Sequence, residues 1–197
     1  MKFVLVSLAS ALCIAGCASS PPLHYYTLVP SSVTAPGAAP AAFAIDVLPV
    51  GVPEQQDQQR LVIRQGSGGL AVLENERWGS PLSGELRSAL SLELSRRLGA
   101  QDVGGLTPPP GRPVFRIKVQ VRRFDAWPGD RTQLDADWSV APSSDASGAR
   151  SLCHSALEEA TPGSHADMIQ GQQRLVARLA EQIGAALQRP DRTCAVG

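Results

Sequence analysis

The stretch FRIKVQVR at residues 115–122 decides the fold, because it alternates strictly between apolar and polar side chains. In a β-strand, successive side chains point to opposite faces, so this pattern predicts a strand with one buried and one solvated face. The run LDADWSV at residues 134–140 shows the same alternation. A turn at the PGD segment, residues 128–130, would join the two runs as neighbouring antiparallel strands.

The polar faces of these two strands carry opposite charges. The first strand has Lys118 and Arg122 in its polar row, and the second has Asp135 and Asp137. The turn predicts that Arg122 lies near Asp135 and that Lys118 lies diagonal to Asp137. Exposed cross-strand pairs contribute well under about 1 kcal/mol each. We therefore interpret the basic row as a solvated, internally neutralised face, with a docking surface for an anionic partner as the alternative.

Two amphipathic helices are predicted, one before and one after this strand pair in the sequence. The first begins at Ser80 and Pro81, because serine can cap a helix and proline suits its first position. Its leucines recur every four residues, at Leu82, Leu86, Leu90, Leu94 and Leu98. This stripe predicts a core-facing surface, with pairing to a partner helix as the alternative. The second helix begins at Ser164, with Asp167 three residues later as in a capping box.

Further apolar runs complete the predicted domain. Strands are expected at residues 25–29, 44–50 and 150–158. The runs at residues 60–64 and 70–78 flank the segment QGSGG, which predicts a hairpin with a flexible turn. The glycines do not indicate a phosphate-binding loop, because no helix follows them directly and the segment has no lysine. The element order predicts a single layered α/β domain, in which a mixed, largely antiparallel sheet packs with two main amphipathic helices.

The N-terminal segment has the pattern of a bacterial lipoprotein signal peptide. A basic residue precedes an apolar stretch, and the small pair Ala-Gly stands directly before Cys17. The apolar stretch is shorter than the roughly 20 residues that span a bilayer. We expect residues 1–16 to be removed and Cys17 to be acylated, with an ordinary secretory signal as the alternative. Residues 17–42 would then hold the lipid site, a tether, the first strand and a Pro/Ala-rich linker, and residues 43–197 the folded domain.

Cysteine use points to an oxidising compartment. Cys13 would leave with the signal peptide, and Cys17 would carry the lipid. Cys153 and Cys194 then remain, and two thiols in an oxidising periplasm suggest one disulfide. Such a bridge would close a loop of about 41 residues, worth on the order of 4 kcal/mol in the chain-entropy model. Two free, buried thiols are the alternative.

Composition and motifs argue against catalysis and nucleic-acid binding. The chain has 18 basic and 18 acidic residues, whereas nucleic-acid binders usually carry a strong basic excess. The three histidines, His24, His154 and His165, show no close metal-ligand spacing. Cys153 and His154 are neighbours, so a strand would send their side chains to opposite faces. No GxSxG or SxxK motif is present, and we expect no enzyme activity, no cofactor and no metal site.

The ordered motifs along the chain resemble the PqiC/YmbA family of ABC-type transport auxiliary lipoproteins, which are associated with mammalian-cell-entry (MCE) transport systems. The motifs are a lipid site followed by YYTL at residues 25–28, AIDVLPVGVP at 44–53, RLVIRQGSGGLAVLENERWGSPL at 60–82, and VQVRRFDA at 119–126 with Trp138 in the next strand. Together they cover most of the mature chain. The loop at residues 52–59 departs from the family, since it holds QQDQQ where an aromatic segment is expected.

The resemblance implies a non-enzymatic, lipid-anchored protein on the periplasmic face of the outer membrane. It would work with an MCE-domain subunit in lipid transport between the membranes and support envelope integrity, with homo-oligomer formation left open. Ala18, directly after Cys17, stands where an aspartate is associated with inner-membrane retention. Arg64 and Trp78 in the predicted hairpin are the candidate partner contacts, with a core position as the alternative for Trp78. A lipoprotein scaffold or activator of another envelope machine, such as cell-wall synthesis, is the competing interpretation.

Overall fold

The fold is that of a computed structural model, which describes residues 21–31, 38–108, 110–144, 151–189 and 194. Within these residues the chain forms β1 (His24–Tyr26), β2 (Ala44–Val47), β3 (Arg60–Gln65), β4 (Gly69–Trp78), α1 (Leu82–Leu98), β5 (Val114–Trp127), β6 (Arg131–Pro142), β7 (Ser151–Ala160) and α2 (His165–Gln188). A short 3₁₀ helix, Glu54–Gln56, lies between β2 and β3.

A four-stranded sheet in the order β2-β5-β6-β7 forms the centre of the fold. β5, β6 and β7 are an antiparallel meander, and β2 pairs with β5 in parallel. The alternation in the sequence gives this sheet an apolar inner face and a polar outer face. The inner side chains of β5 and β6 are buried at Ile117, Val119, Val121, Leu134, Ala136, Trp138 and Val140. The predicted half-buried strand pair is therefore confirmed.

A β-bulge in β5 changes the cross-strand pairs that the sequence predicts. The register shifts between Val121 and Arg123, so Arg122 is an extra residue on its strand. As a result, Arg122 contacts Asp137, with 2.8 Å between Nε and Oδ2. The residue opposite Asp135 is Arg123. The predicted proximity of Arg122 to Asp135 is therefore wrong, because strict alternation leaves no room for an inserted residue.

Both helices cover the inner face of the four-stranded sheet. α2 packs on β6 and β7, and α1 packs on α2 and β2. The five leucines of the α1 stripe are at most 5% exposed, which confirms the predicted core-facing surface. α2 begins with the predicted capping box, in which the Asp167 amide donates to the Ser164 hydroxyl and the Ser164 amide donates to the Asp167 carboxylate.

The start of α1 differs from the expected serine cap. No side chain caps this helix, and Pro81 occupies its N-cap position. The Ser80 hydroxyl and amide both donate to Oε1 of Glu85, at 3.2 and 3.0 Å. The predicted role of Ser80 as a cap is therefore wrong, because a carboxylate of the first helical turn takes its hydroxyl.

A three-stranded sheet in the order β1-β4-β3 completes the molecule. β3 and β4 form the predicted hairpin, and β1 adds to β4 in parallel. Contacts between β3 and β5 connect the two sheets. Leu28, which follows β1, is 1% exposed and belongs to the core. The packed core thus includes a residue on the N-terminal side of the boundary expected at residue 43.

The fold class is the predicted one, a single α/β domain with mostly antiparallel strands and two helices. Each sheet is mixed, because β1 runs parallel to β4 and β2 runs parallel to β5. The strands form two sheets instead of one, since the hairpin pairs with β1 and not with the meander. This division leaves the outer face of β5 free to meet the hairpin.

Candidate functional site

Trp78, one of the two predicted partner contacts, lies in the core. Its side chain is 3% exposed, and its backbone amide donates to the Gln59 carbonyl at 2.6 Å. A side chain with so little exposure is not available to a partner at the surface. The structure therefore shows the alternative that the sequence left open for Trp78.

The turn of the β3–β4 hairpin, for which the glycines predict flexibility, contacts the end of β5. The indole Nε1 of Trp127, at the end of β5, donates to the Gly66 carbonyl at 3.2 Å. The guanidinium of Arg131 lies over the same ring, 4.4 Å from its centroid. The first contact joins the hairpin turn to the end of the β5–β6 pair, and the hairpin covers part of the outer face of β5.

Arg64, the other predicted contact, binds a carboxylate buried beneath the hairpin. Its Nη2 lies 2.9 Å from Oδ2 of Asp125, and Asp125 is 3% exposed. Nε2 of Gln56 donates to the same carboxylate at 3.2 Å, and Nε of Arg123 lies 3.5 Å from it. Hydrogen bonds between charged groups are about twice as strong as neutral ones. Asp125 therefore positions one arginine from each sheet.

The bulge in β5 brings a third arginine to the same place. Up to the bulge the odd-numbered residues of β5 face inward, and beyond it Phe124 and Ala126 do so. This change leaves Arg122 and Arg123 adjacent and both exposed. Bulges commonly redirect a side chain in this way beside a functional site. Three arginines from β3 and β5 thus line one depression, and two of them contact its buried carboxylate.

We call the depression between these residues the arginine cleft. Its volume is about 160 Å³, and its lining includes Gln56, Arg64, Leu70, Arg122, Arg123 and Asp125. Three arginines and one carboxylate give this lining an excess of positive charge. Nε of Arg64 is buried and has no hydrogen-bond partner among the residues that the structure describes. A concave site lined by guanidinium groups with unused N–H donors can hold an anionic group.

An ion-pair network continues from the cleft along the outer face of the sheet. Besides Arg122, Asp137 meets His154, whose Nδ1 lies 2.9 Å from Oδ1. The hydrogen bond from Arg122, and next that of His154, hold the pKa of Asp137 below its usual range. His154 is exposed, whereas Cys153 is buried on the inner face, which confirms that the two side chains point to opposite faces.

The two cysteines of the folded body are joined in the structure. Cys153 and Cys194 form a disulfide with 5.5 Å between their Cα atoms, which ties β7 to the chain beyond α2. Formation of this bridge in the periplasm stays a prediction. Cys17 lies outside the described residues, so its lipidation also stays a prediction.

A second titratable cluster lies where β1 meets β4. Nδ1 of His24 is 2.9 Å from Oε1 of Glu76. Burial first, and then Glu76, raise the pKa of Tyr26 to about 12. Burial acts to raise the pKa of Glu76, but the hydrogen bonds of Tyr26 and His24 outweigh it and lower that pKa. Tyr26 therefore stays protonated at neutral pH and serves as a hydrogen-bond donor between strands, which is a structural role.

Sequence reasoning singled out Arg64 and named Arg122 in the basic row, but it did not bring them together and did not identify Arg123, Asp125 or Gln56. The order RRFD at residues 122–125, where two polar residues interrupt the alternation, was the available signal for the bulge. Nothing local marks Gln56 as a partner of Asp125, because the two are separated by 69 positions. The cleft depends on tertiary contacts among the 3₁₀ helix, the hairpin and β5.

The described part of the chain offers no sign of a metal centre or a membrane span. It contains no group of three or more His, Cys, Asp or Glu side chains that could hold a metal ion. In that same part of the molecule, no helix is long and apolar enough to cross a membrane.

Two solved structures are similar to this chain in fold. A crystal structure of an uncharacterized protein has a TM-score of 0.66 at 16% identity, with 85% of this chain and 100% of that chain covered. A protein from Xanthomonas campestris of the DUF330 family has a TM-score of 0.58 at 16% identity, with 84% of this chain and 94% of that chain covered. The comparison with curated proteins finds no match.

A family model described as the ABC-type transport auxiliary lipoprotein component matches residues 26–184. The match runs from the end of β1 into α2, and so includes both sheets and the arginine cleft. The description is that of a lipoprotein, which indicates a membrane-anchored component of the cell envelope. The protein therefore belongs to the ABC-type transport auxiliary lipoprotein family.

Proposed function

We propose that the protein is a non-enzymatic subunit of an MCE-type lipid transport system, held at the periplasmic face of the outer membrane by a lipid on Cys17. Its family supports an auxiliary role beside an ABC-type transporter. The order of its motifs, which resembles the PqiC/YmbA family, supports MCE transport as the system. Ala18 after Cys17 supports the outer-membrane address. In this role the protein helps to preserve envelope integrity.

The face of the β3–β4 hairpin that carries Leu70 and Val72 is the proposed contact with the MCE subunit. Leu70 and Val72 on this face are 43% and 40% exposed. Val62 lies opposite Val72 and Arg64 opposite Leu70, so apolar and basic side chains stand next to each other. Interfaces commonly combine an apolar centre with a polar rim. These neighbouring exposed apolar side chains are the observation that carries the proposal.

A charge introduced into this face tests the contact. We expect Val72→Glu to reduce capture of the MCE subunit from crosslinked envelopes by about tenfold, which corresponds to ~1.4 kcal/mol. Leu152→Glu is the matched control, because Leu152 is 79% exposed on β7, away from the hairpin. Both variants should keep the unfolding temperature of the unmodified protein, since both positions face solvent.

The same experiment separates the competing functions. An equal loss of capture in both variants would place the contact elsewhere. Envelopes in which the unmodified protein crosslinks to no MCE subunit would refute the transport proposal. Recovery of cell-wall synthesis proteins instead would support the alternative, a scaffold or activator of that machinery, and crosslinks between copies of this chain would show a homo-oligomer.

A further inference from the structure

We infer that the arginine cleft binds the phosphate group of a small anion or of a lipid headgroup. The inference concerns the chemistry of the cleft and needs no transport partner, although the cleft shares Arg64 and Leu70 with the proposed partner contact. It rests on three arginines that line one concave site, on a buried carboxylate that positions two of them, and on a bulge that places two of them side by side.

The arginines of the cleft keep donors that the protein does not use. A guanidinium carries five N–H groups. Arg122 contacts Asp137 through Nε, and Arg123 approaches Asp125 and Asp135 through its own Nε, at 3.5 and 3.7 Å. Nη1 of Arg123 also donates to Oε1 of Gln133 at 3.4 Å. Among the described residues, Nη2 of Arg123 and both Nη groups of Arg122 have no partner. The Nη1–Nη2 edge of Arg122 can pair in bidentate fashion with an oxyanion, and Nη2 of Arg123 adds a further donor.

Exposure differs among the three arginines in a way that suits a ligand. The side chain of Arg64 is 27% exposed and forms the covered wall below the hairpin. Those of Arg122 and Arg123 are 62% and 50% exposed and form the open wall. An anion can therefore enter from the outer face of the sheet and meet Arg64 deeper in the cleft. The volume of about 160 Å³ exceeds the space of a few water molecules, each ~30 Å³.

The arrangement of the guanidinium groups determines the class of ligand. Asp125 already accepts hydrogen bonds from Gln56 and pairs with two arginines, so it acts as a positioning residue. Asp135 and Asp137 lie outside the lining and pair with Arg123 and Arg122, so that together with Asp125 they balance the three guanidinium charges. A planar carboxylate offers two oxygens in one plane, whereas a phosphate offers oxygens in several directions. Three guanidinium groups from two strands match the phosphate better.

A second depression also contains two arginines but lacks the arrangement found in the arginine cleft. Its lining includes Arg60 and Arg77, together with Glu74. Nη1 of Arg60 hydrogen bonds to Glu74, and both side chains are largely exposed, at 44% and 73%. This site has no buried carboxylate to order its arginines, and the ion pair there is free to exchange with solvent. The second depression is therefore not a candidate for the phosphate.

Titration of the full-length protein in a nonionic detergent tests the inference. The probes are inorganic phosphate, a short-chain phosphatidylglycerol and a short-chain phosphatidylcholine, each followed by calorimetry. We expect saturable binding of phosphate, of phosphatidylglycerol or of both. Replacing both exposed arginines, Arg122→Gln with Arg123→Gln, should raise the Kd at least about tenfold, or ~1.4 kcal/mol. Arg116→Gln is the control, because Arg116 lies on the same strand and face but pairs with Asp46 outside the cleft.

Each outcome of this titration decides something. Binding of phosphate alone identifies a soluble phosphate compound, binding of phosphatidylglycerol alone identifies a lipid headgroup, and binding of both shows that the phosphate group itself is recognised. The inference is overturned if neither inorganic phosphate nor phosphatidylglycerol shows saturable binding. It is also overturned if the Arg116→Gln control loses as much affinity as the double variant.

Nuclear magnetic resonance of the unmodified protein decides the case in which the double variant fails to fold. The arginine Nε–H signals are followed while inorganic phosphate and then phosphatidylglycerol are added. Shifts confined to Arg64, Arg122 and Arg123 support the cleft. Shifts spread equally over Arg60 and Arg116 show unspecific charge attraction and overturn the inference.

Discussion

At the scale of single residues, Glu85 connects the N-terminal segment to the start of α1. The residue is 6% exposed and lies in the first turn of the helix. Its Oε2 accepts hydrogen bonds from the Thr27 hydroxyl at 2.7 Å and from the Leu28 amide at 2.9 Å. Its Oε1 accepts from the Ser80 amide. One carboxylate therefore satisfies donors from two separate parts of the chain, and its position near the helix N-terminus is electrostatically favourable.

We predict that Glu85→Ala destabilises the protein by about 1.5–3 kcal/mol, because it leaves buried donors without a charged acceptor. Urea unfolding measures the change. The control is Glu181→Ala, since the Glu181 side chain is 67% exposed and should contribute little. If both variants unfold at the same urea concentration, the carboxylate of Glu85 has no special structural role.

At the scale of elements, α2 depends on a capping box that titrates. The hydrogen bonds of the Ser164 side chain and backbone lower the pKa of Asp167, and the nearby Arg174 adds to the effect. A carboxyl with a lowered folded pKa adds stability above its unfolded pKa of about 3.9 and loses it as the pH falls through the folded pKa. The cap of α2 therefore weakens on acidification.

Asp167→Asn should consequently destabilise the protein near neutral pH and have little effect once the pH lies below the folded pKa of Asp167. The measurement is urea unfolding of both proteins across the acid range. Ser164→Ala should cost about 1 kcal/mol, as N-cap replacements do, and should reduce the pH dependence too. A difference between Asp167→Asn and the unmodified protein that stays constant with pH would contradict this account.

The elements also show how far the sequence could predict this fold. The leucine stripe of α1 and the alternation in β5 and β6 depend on burial period alone, so their inner faces followed directly from the sequence. The bulge at Arg122 did not, because a single inserted residue changes register without changing composition. The arginine cleft was out of reach for another reason: Asp125 is buried only because the hairpin folds over the end of β5, and that contact is tertiary.

At the scale of the whole molecule, the Cys153–Cys194 bridge ties the C-terminal chain to the edge strand β7. The bridge spans 41 positions, and closing such a loop stabilises a protein by ~4 kcal/mol in the chain-entropy model. We predict that non-reducing peptide mapping of protein from the periplasmic side recovers the two cysteines in one linked peptide. Reduction should lower the urea midpoint. Recovery of both as alkylatable thiols would show that the bridge does not form in the cell.

The attachment of the whole molecule to a membrane is predicted to depend on a single atom, the sulfur of Cys17. No helix in the described residues is long and apolar enough to span a bilayer. An anchored body meets a membrane-bound partner at a raised effective concentration, which lets a hairpin contact of modest area hold an assembly together.

We expect Cys17→Ser to abolish palmitate labelling and to move the protein from the membrane fraction to the soluble fraction. Cys13→Ser is the matched control, because Cys13 would leave with the signal peptide and its loss should change neither result. Continued labelling and sedimentation of the Cys17→Ser protein would show that the anchor lies elsewhere. If instead the Cys17→Ser protein is soluble but still captures the MCE subunit, the lipid serves to place the protein at the membrane and the hairpin provides the binding.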